Sequence, residues 1–268
     1  MTGMPIWFEL MTPDPDAVRD FYRAVVGWEI GASGMTAGGG NNDYRAIGRS
    51  GGGMAGGVIG MSQDMIDHGA KPGWVAYFHV DDVPAALAQL EAMGGKTWMG
   101  PRTVEVGTMA MVADPQGAPF YVMDPTPPAD RPDAKSDVFD YAKAEHVRWN
   151  ELWTSDPDAA IALYTRLFGW TQDGEMDMGP MGKYRFLHHD GGMIGAIGQA
   201  QPGGDGSRWD FYIGVDDIDR AARAVEAGGG RLTGEISQIP GGDYSVRVRD
   251  PQGAGFGLVG PRKESDHD

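Results

Sequence analysis

Two short segments set an acid between aromatic side chains at spacings that suit chemistry on an apolar surface: Trp7-Phe8-Glu9-Leu10-Met11 and Trp149-Asn150-Glu151-Leu152-Trp153. Each reads as a strand. Successive strand side chains point to opposite faces, so Trp7, Glu9 and Met11 share one face, as do Trp149, Glu151 and Trp153. A carboxylate among aromatic rings loses hydration, which raises its pKa unless it is paired and suits it to general acid or base work. A further strand puts Val75, Tyr77 and His79 on one face, its counterpart puts Asp210, Tyr212 and Gly214 there, and Tyr121 lies on a closing strand. Glu9, His79 and Tyr121 form the candidate catalytic set. Trp7, Met11, Tyr77, Trp149, Glu151, Trp153, Asp210 and Tyr212 are the candidate ligand-binding residues. The competing reading is structural: Glu9 and Glu151 accept buried hydrogen bonds from Arg45 and Arg185, or from tryptophan N–H groups. The acid occurs in both segments, which favours that reading, because duplicated architecture repeats while a single active site need not.

The two segments head a tandem repeat. At the offset of 142 that separates Trp7 from Trp149, Asp14-Pro15-Asp16 matches Asp156-Pro157-Asp158, Phe21-Tyr22 matches Leu163-Tyr164, and Gly27-Trp28 matches Gly169-Trp170. Further on, Tyr44-Arg45 matches Tyr184-Arg185, Gly52-Gly53-Met54 matches Gly191-Gly192-Met193, Asp81-Asp82 matches Asp216-Asp217, and Asp114-Pro115-Gln116-Gly117 matches Asp250-Pro251-Gln252-Gly253. The slow drift in offset is what unequal loops produce.

Within the first copy, residues 6–11 predict a strand, Asp14 or Asp16 an N-cap, and Ala17 to Val26 a helix stopped by Gly27. Residues 74–80 predict a second strand, Asp81 or Asp82 a cap, and Ala85 to Met93 a helix running to Gly94-Gly95. Residues 107–113 and 118–123 then form a hairpin across Asp114-Pro115-Gln116-Gly117, where proline fixes φ and glycine permits a positive one. The proline-rich stretch from Asp124 to Asp133 predicts a stiff exposed linker, and residues 134–145 a short helix or irregular link. The domains are therefore 1–125 and 146–262, joined by 126–145 and followed by a tail at 263–268.

The chain has 268 residues, 41% hydrophobic and 22% charged, values that favour neither disorder nor a membrane class. A formal charge of −16 repels phosphate backbones and anionic lipid, so neither nucleic acid nor membrane is expected as a partner. With no cysteine there is no thiolate nucleophile, disulfide or Cys-based metal site, and the absence of a basic-then-apolar leader makes the cytoplasm the expected location. Gly38-Gly39-Gly40 and Gly51-Gly52-Gly53 lack the pattern of a phosphate loop, and no serine or threonine sits in a nucleophile elbow.

A strand leading into a helix with Phe-Tyr and Gly-Trp, a second strand ending in Val-Asp-Asp before a helix ending in Gly-Gly, and a closing Asp-Pro-x-Gly hairpin together resemble the vicinal-oxygen-chelate superfamily of glyoxalases, bleomycin-resistance proteins and extradiol dioxygenases. The resemblance spans nearly the whole chain. It implies an α+β fold of two tandem glyoxalase-like domains, each built from two βαβββ modules forming a cupped mixed sheet. It also implies that the chain works as a monomer resembling an internal dimer, with a homodimer as the alternative. Members that use a metal place its ligands at positions that fall here on Trp7, Val75 and Tyr121, with Met54 to Val58 offering no acid. In the second copy they fall on Trp149, Asp210 and Gly257, with Met193 to Ile197 likewise lacking one. Asp210 alone does not make a divalent site. His79, Glu9, Glu151, His188 and His189 match no common ligand spacing, and His188-His189 is expected to face solvent. No metal or other cofactor is expected. Three functions remain open: a pocket for a small apolar or aromatic molecule, a metal-independent lyase or isomerase using a cavity glutamate, and a structural or partner-binding module.

Overall fold

The computed structural model describes residues 2–32, 35–36, 43–204 and 206–263, with 35–36 as backbone alone. The run Gly38-Gly39-Gly40 and nearly all of the expected tail lie outside the described residues. The first copy contains β1 (Pro5–Thr12), α1 (Arg19–Val26), β2 (Glu29–Ile30), β3 (Met35–Thr36), β4 (Asp43–Gly48), β5 (Met54–Gly60), α2 (Gln63–Asp67), β6 (Gly73–His79), α3 (Val83–Ala92), β7 (Lys96–Val104), β8 (Gly107–Ala113) and β9 (Pro119–Pro125). The second contains β10 (Val147–Thr154), α4 (Pro157–Phe168), β11 (Thr171–Asp177), β12 (Lys183–His189), β13 (Gly192–Gln199), β14 (Arg208–Gly214), α5 (Ile218–Ala227), β15 (Arg231–Leu232), β16 (Ser237–Gln238), β17 (Tyr244–Arg249) and β18 (Gly255–Gly260). A strand, a helix and three or four strands thus recur four times. The strand orders are β2-β4-β5-β1-β6-β9-β8-β7 with β3 on β4, and β11-β12-β13-β10-β14-β18-β17-β15 with β16 on β17. Each module's first strand pairs in parallel with its last and the other described pairings within a module are antiparallel, so both sheets are mixed.

Local chemistry explains most element ends. Asp82 and Asp156 cap α3 and α4 by accepting from the backbone N–H of Ala85 and Ala159, and Gly27 and Gly169 end α1 and α4 in the left-handed conformation. The expected cap on α1 needs correction. Asp14 accepts from the N–H groups of Asp16 and Ala17, which completes a turn upstream, and the helix begins at Arg19 without a side-chain cap. In the Asp-Pro-Gln-Gly hairpins, Asp114 accepts from Gln116 and Ala118 and Asp250 from Gln252 and Ala254. The edge strand β7 and the short α2 were not read from sequence; β7 carries Gly100 and Pro101 and is mostly exposed. Residues 134–145 are an irregular, anchored link. Val138 is buried, Asp137 pairs with Arg49, and Glu145 accepts from the Ser50 N–H.

The chain divides into two compact units that draw on both copies. Unit 1 comprises Met1–Trp7, Val75–Ser136 and Trp149–Asp210; unit 2 comprises Phe8–Trp74, Asp137–Arg148 and Phe211–Asp268. In unit 1, Phe120, Phe168, Trp170 and Trp209 surround Tyr164, with Phe78 packed against Phe168 and Trp209, and the Tyr164 hydroxyl accepts from Trp209 Nε1 at 3.2 Å and donates to Asp114 Oδ2 at 3.0 Å. In unit 2, Tyr22 does the same between Trp74 Nε1 at 3.1 Å and Asp250 Oδ2 at 3.0 Å. Burial pushes the Asp114 and Asp250 carboxyls above the usual carboxylate range, against the pull of their N–H and hydroxyl donors, and pushes both tyrosine hydroxyls well above theirs.

Candidate functional site

The acid of the second copy sits in a closed hydrogen-bond cluster within unit 1. Glu151 lies on β10 opposite Ala196 of β13 and is 5% exposed. Tyr184 on β12 donates to Glu151 Oε1 at 2.7 Å, Trp153 Nε1 donates to Oε2 at 2.6 Å, and Trp149 Nε1 donates to the Tyr184 hydroxyl at 2.7 Å. Each carboxylate oxygen therefore has a donor, as a buried charge requires. The Trp153 indole covers Gly198, its register partner, where a Cβ would come within 2.6 Å of the ring. Of the two donors expected for this acid, tryptophan is correct and arginine is not, because Arg185 pairs with Asp158 instead. Tyr184 was missed; its signal was the Tyr-Arg pair repeated in both copies.

In unit 2, Glu9 occupies the matching place on β1, opposite Gly57 of β5, and is equally buried. The Tyr44 hydroxyl lies over Gly57, where a Cβ would meet it at 2.3 Å. Arg45 again turns elsewhere. Buried in β4, it pairs with Asp43 and Asp16 at 2.6 Å and donates to the Gly31 carbonyl, so the expected bond to Glu9 is not the one it makes. Where the second copy has Trp153 over Gly198, the first has Met11 opposite Ile59, a thioether with no N–H to offer.

A second part of unit 1 brings several of the expected residues together. Val75, Tyr77 and Met123 form a buried cluster, against which the partly exposed Ile6, Trp7, Met109 and Tyr121 pack. Tyr77 and Tyr121 are register partners on β6 and β9, and their rings stack with centroids 4.2 Å apart and planes 2° from parallel. His79, farther along β6, has its Nε2 3.5 Å from Asp81. The corresponding strands of unit 2 are built differently. Tyr212 is opposite Gly257, and its ring lies so close that a Cβ there would be 2.2 Å from it. Ser245 and Arg247 of β17 stand where β8 has Met109 and Met111.

The positions that family members use for metal ligands carry Trp7, Val75 and Tyr121 in a stacked apolar cluster, and Trp149, Asp210 and Gly257 in the second copy. Asp210 is within 3.2 Å of Arg208. Among the described residues no three His, Cys, Asp or Glu side chains converge as a divalent ion needs, so this donor set does not fit one. The expected exposure of the paired histidines needs correction: the His189 side chain is only 9% exposed, and His188 Nε2 lies 3.2 Å from the Asp173 carbonyl. Gly51, Gly52 and Gly53 form an exposed turn. No described helix is long and apolar enough to cross a membrane.

Four βαβββ modules in two mixed sheets, with this set of buried acids and aromatic faces, define the class. The family model described as the Glyoxalase/Bleomycin resistance protein/Dioxygenase superfamily matches residues 6–122 and 143–258, and the chain belongs to that superfamily. A Mycobacterium tuberculosis protein carrying the provisional name glyoxylase CFP32 is 29% identical, the match covering 97% of this chain and 95% of that one. The anthracycline biosynthesis protein DnrV of Streptomyces peucetius is also 29% identical, over 96% and 93%. The crystal structure of a Mn(II)-bound glyoxalase from Novosphingobium aromaticivorans shares the fold at a TM-score of 0.63 and 17% identity, covering 99% of this chain and 84% of that one.

Proposed function

We propose that the chain binds a small apolar or aromatic molecule against the aromatic faces of its sheets, without the divalent ion used elsewhere in the superfamily. The observation that carries this reading is the replacement of ligand positions by a stacking surface: Trp7, Val75 and Tyr121 pack with Tyr77 where a metal site would need donors. Rings aligned face to face bind flat apolar molecules by dispersion and area burial. The sequence nominates Trp7, Met11 and Tyr77 in the first copy and Trp149, Glu151, Trp153, Asp210 and Tyr212 in the second as ligand-facing; of these, Trp7 and Tyr77, together with Tyr121, form the surface proposed here. The sequence copies span 1–125 and 146–262, and on this reading a monomer suffices because each compact unit already combines parts of both.

The test is a titration of the chain with an uncharged hydroxyanthraquinone, before and after dialysis against a chelator, together with elemental analysis. Saturable binding unchanged by the chelator is expected. A stoichiometric divalent metal bound by these residues, or no saturation at all, would overturn the proposal.

A second reading is metal-independent lyase or isomerase chemistry with Glu9 as acid or base. It is favoured by Met11, a thioether where the second copy has the Trp153 indole that closes over Glu151. Turnover of an α-oxoaldehyde–thiol adduct in chelator, abolished by Glu9→Gln, is the expected outcome on this reading; undiminished turnover in that variant would refute it.

A further inference from the structure

We propose that the two copies have separate duties: the Tyr77–Tyr121 wall of the first copy takes a planar, uncharged aromatic molecule, and the matching surface of the second copy takes none. This rests on the small-molecule reading above and narrows it to one wall and one ligand class.

The strand registers make the comparison position by position. Tyr77 opposite Tyr121 corresponds to Tyr212 opposite Gly257, Met111 opposite Tyr121 corresponds to Arg247 opposite Gly257, and Met109 opposite Met123 corresponds to Ser245 opposite Val259. In the first copy the result is two parallel rings flanked by thioethers. Tyr121 and Met109 keep part of their surface exposed on the edge of a buried apolar cluster. A third flat ring can extend the stack, and methionine, flexible and polarizable, adapts to its outline.

The second copy lacks each of these properties. It has one ring in place of two, and that ring already lies across the Gly257 backbone. A guanidinium and a hydroxyl replace the two thioethers, so the side chains beside that ring are polar where those of the first copy are apolar. The acid cluster of the same copy is closed by its own side chains, with Trp149, Tyr184 and Trp153 all engaged. The residues that set specificity are therefore Tyr121, Met109 and Met111.

Equilibrium titration of the full chain with an uncharged hydroxyanthraquinone tests this. One equivalent per chain is expected. Tyr121→Ala should weaken binding by about tenfold or more, the loss of one stacked ring, while Tyr121→Phe, which keeps the ring, should retain it. Arg247→Ala should change neither affinity nor stoichiometry. If Tyr121→Ala does not fold, Met109→Ser, which imports the second copy's residue, is expected to weaken binding several-fold. Two equivalents per chain, or weakening by Arg247→Ala with none from Tyr121→Ala or Met109→Ser, would overturn the division of duties and leave the small-molecule reading standing. No saturable binding by the unaltered chain would instead remove that reading.

Discussion

Tyr22 and Tyr164 stand at matching points of the two copies, and each takes a tryptophan N–H and gives its proton to the aspartate of an Asp-Pro-Gln-Gly turn. Tyr121 and Gly257 also stand at matching points, yet one stacks on a neighbouring tyrosine while the other only makes room for one. The first pair belongs to the framework that lets a module fold, where a change in either copy leaves buried polar groups unmatched. The second pair lies outside that hydrogen-bonded framework, and there the two copies differ. Duplication kept what holds the modules together and let the exposed aromatic surface diverge.

The largest effect should fall on the shared framework, and fall equally. A Cβ at Gly195 would lie 1.9 Å from the Asn150 carbonyl oxygen, and one at Gly56 would lie 2.1 Å from that of Phe8. Gly195→Ala and Gly56→Ala should each cost about 3 kcal/mol, since backbone cannot move aside as a flexible side chain can. Denaturant unfolding of the two variants measures this, and a difference of more than about 1 kcal/mol would break the equivalence of the two frameworks.

A smaller, pH-dependent effect should come from the buried aspartates. Burial raises both, so the folded chain holds these protons to higher pH than the unfolded chain does. Their contribution is fully present below the ordinary aspartate value and is lost as pH rises through the raised one. Asp114→Asn and Asp250→Asn should each cost about 1–3 kcal/mol, because the amide presents a donor to a tyrosine hydroxyl that needs an acceptor. In each, the gap from wild type should narrow as pH rises above the ordinary aspartate value. A gap that widens over that range in unfolding curves would reverse the assignment.

The smallest effect should separate the copies. Asp156→Ala removes a true N-cap and should cost about 1 kcal/mol, whereas Asp14→Ala removes only an upstream turn and should cost about half as much. Equal losses in thermal unfolding would mean that Asp14 serves α1 as a cap after all.

Much of the fold was legible because its signals are local. Asp82, Asp156, Gly27 and the Asp-Pro-Gln-Gly turns act through hydrogen bonds and dihedral angles within a few residues. Strand β7 escaped because Gly100 and Pro101 interrupt its pattern and most of its side chains face solvent, so no alternation marks it. At the candidate site, strand periodicity put Trp7 with Glu9 and Met11 and Tyr77 with Val75 and His79, but the meeting of Trp7, Tyr77 and Tyr121 depended on which strands pair. The partners of Glu151 were not legible either, since arginine and tryptophan were equally consistent with the sequence and Tyr184 lies 33 residues away.

The sequence by itself determined the duplication and the recurring strand–helix unit, because residue identity and short-range spacing suffice for these. Tertiary structure alone decided that module pairs from different copies make each compact unit, that the Asp114 and Asp250 turns hold Tyr164 and Tyr22, and that one copy stacks two rings where the other covers a glycine. Those outcomes depend on which distant strands and helices meet. Long-range packing sets that, through shape and polar satisfaction summed over many residues.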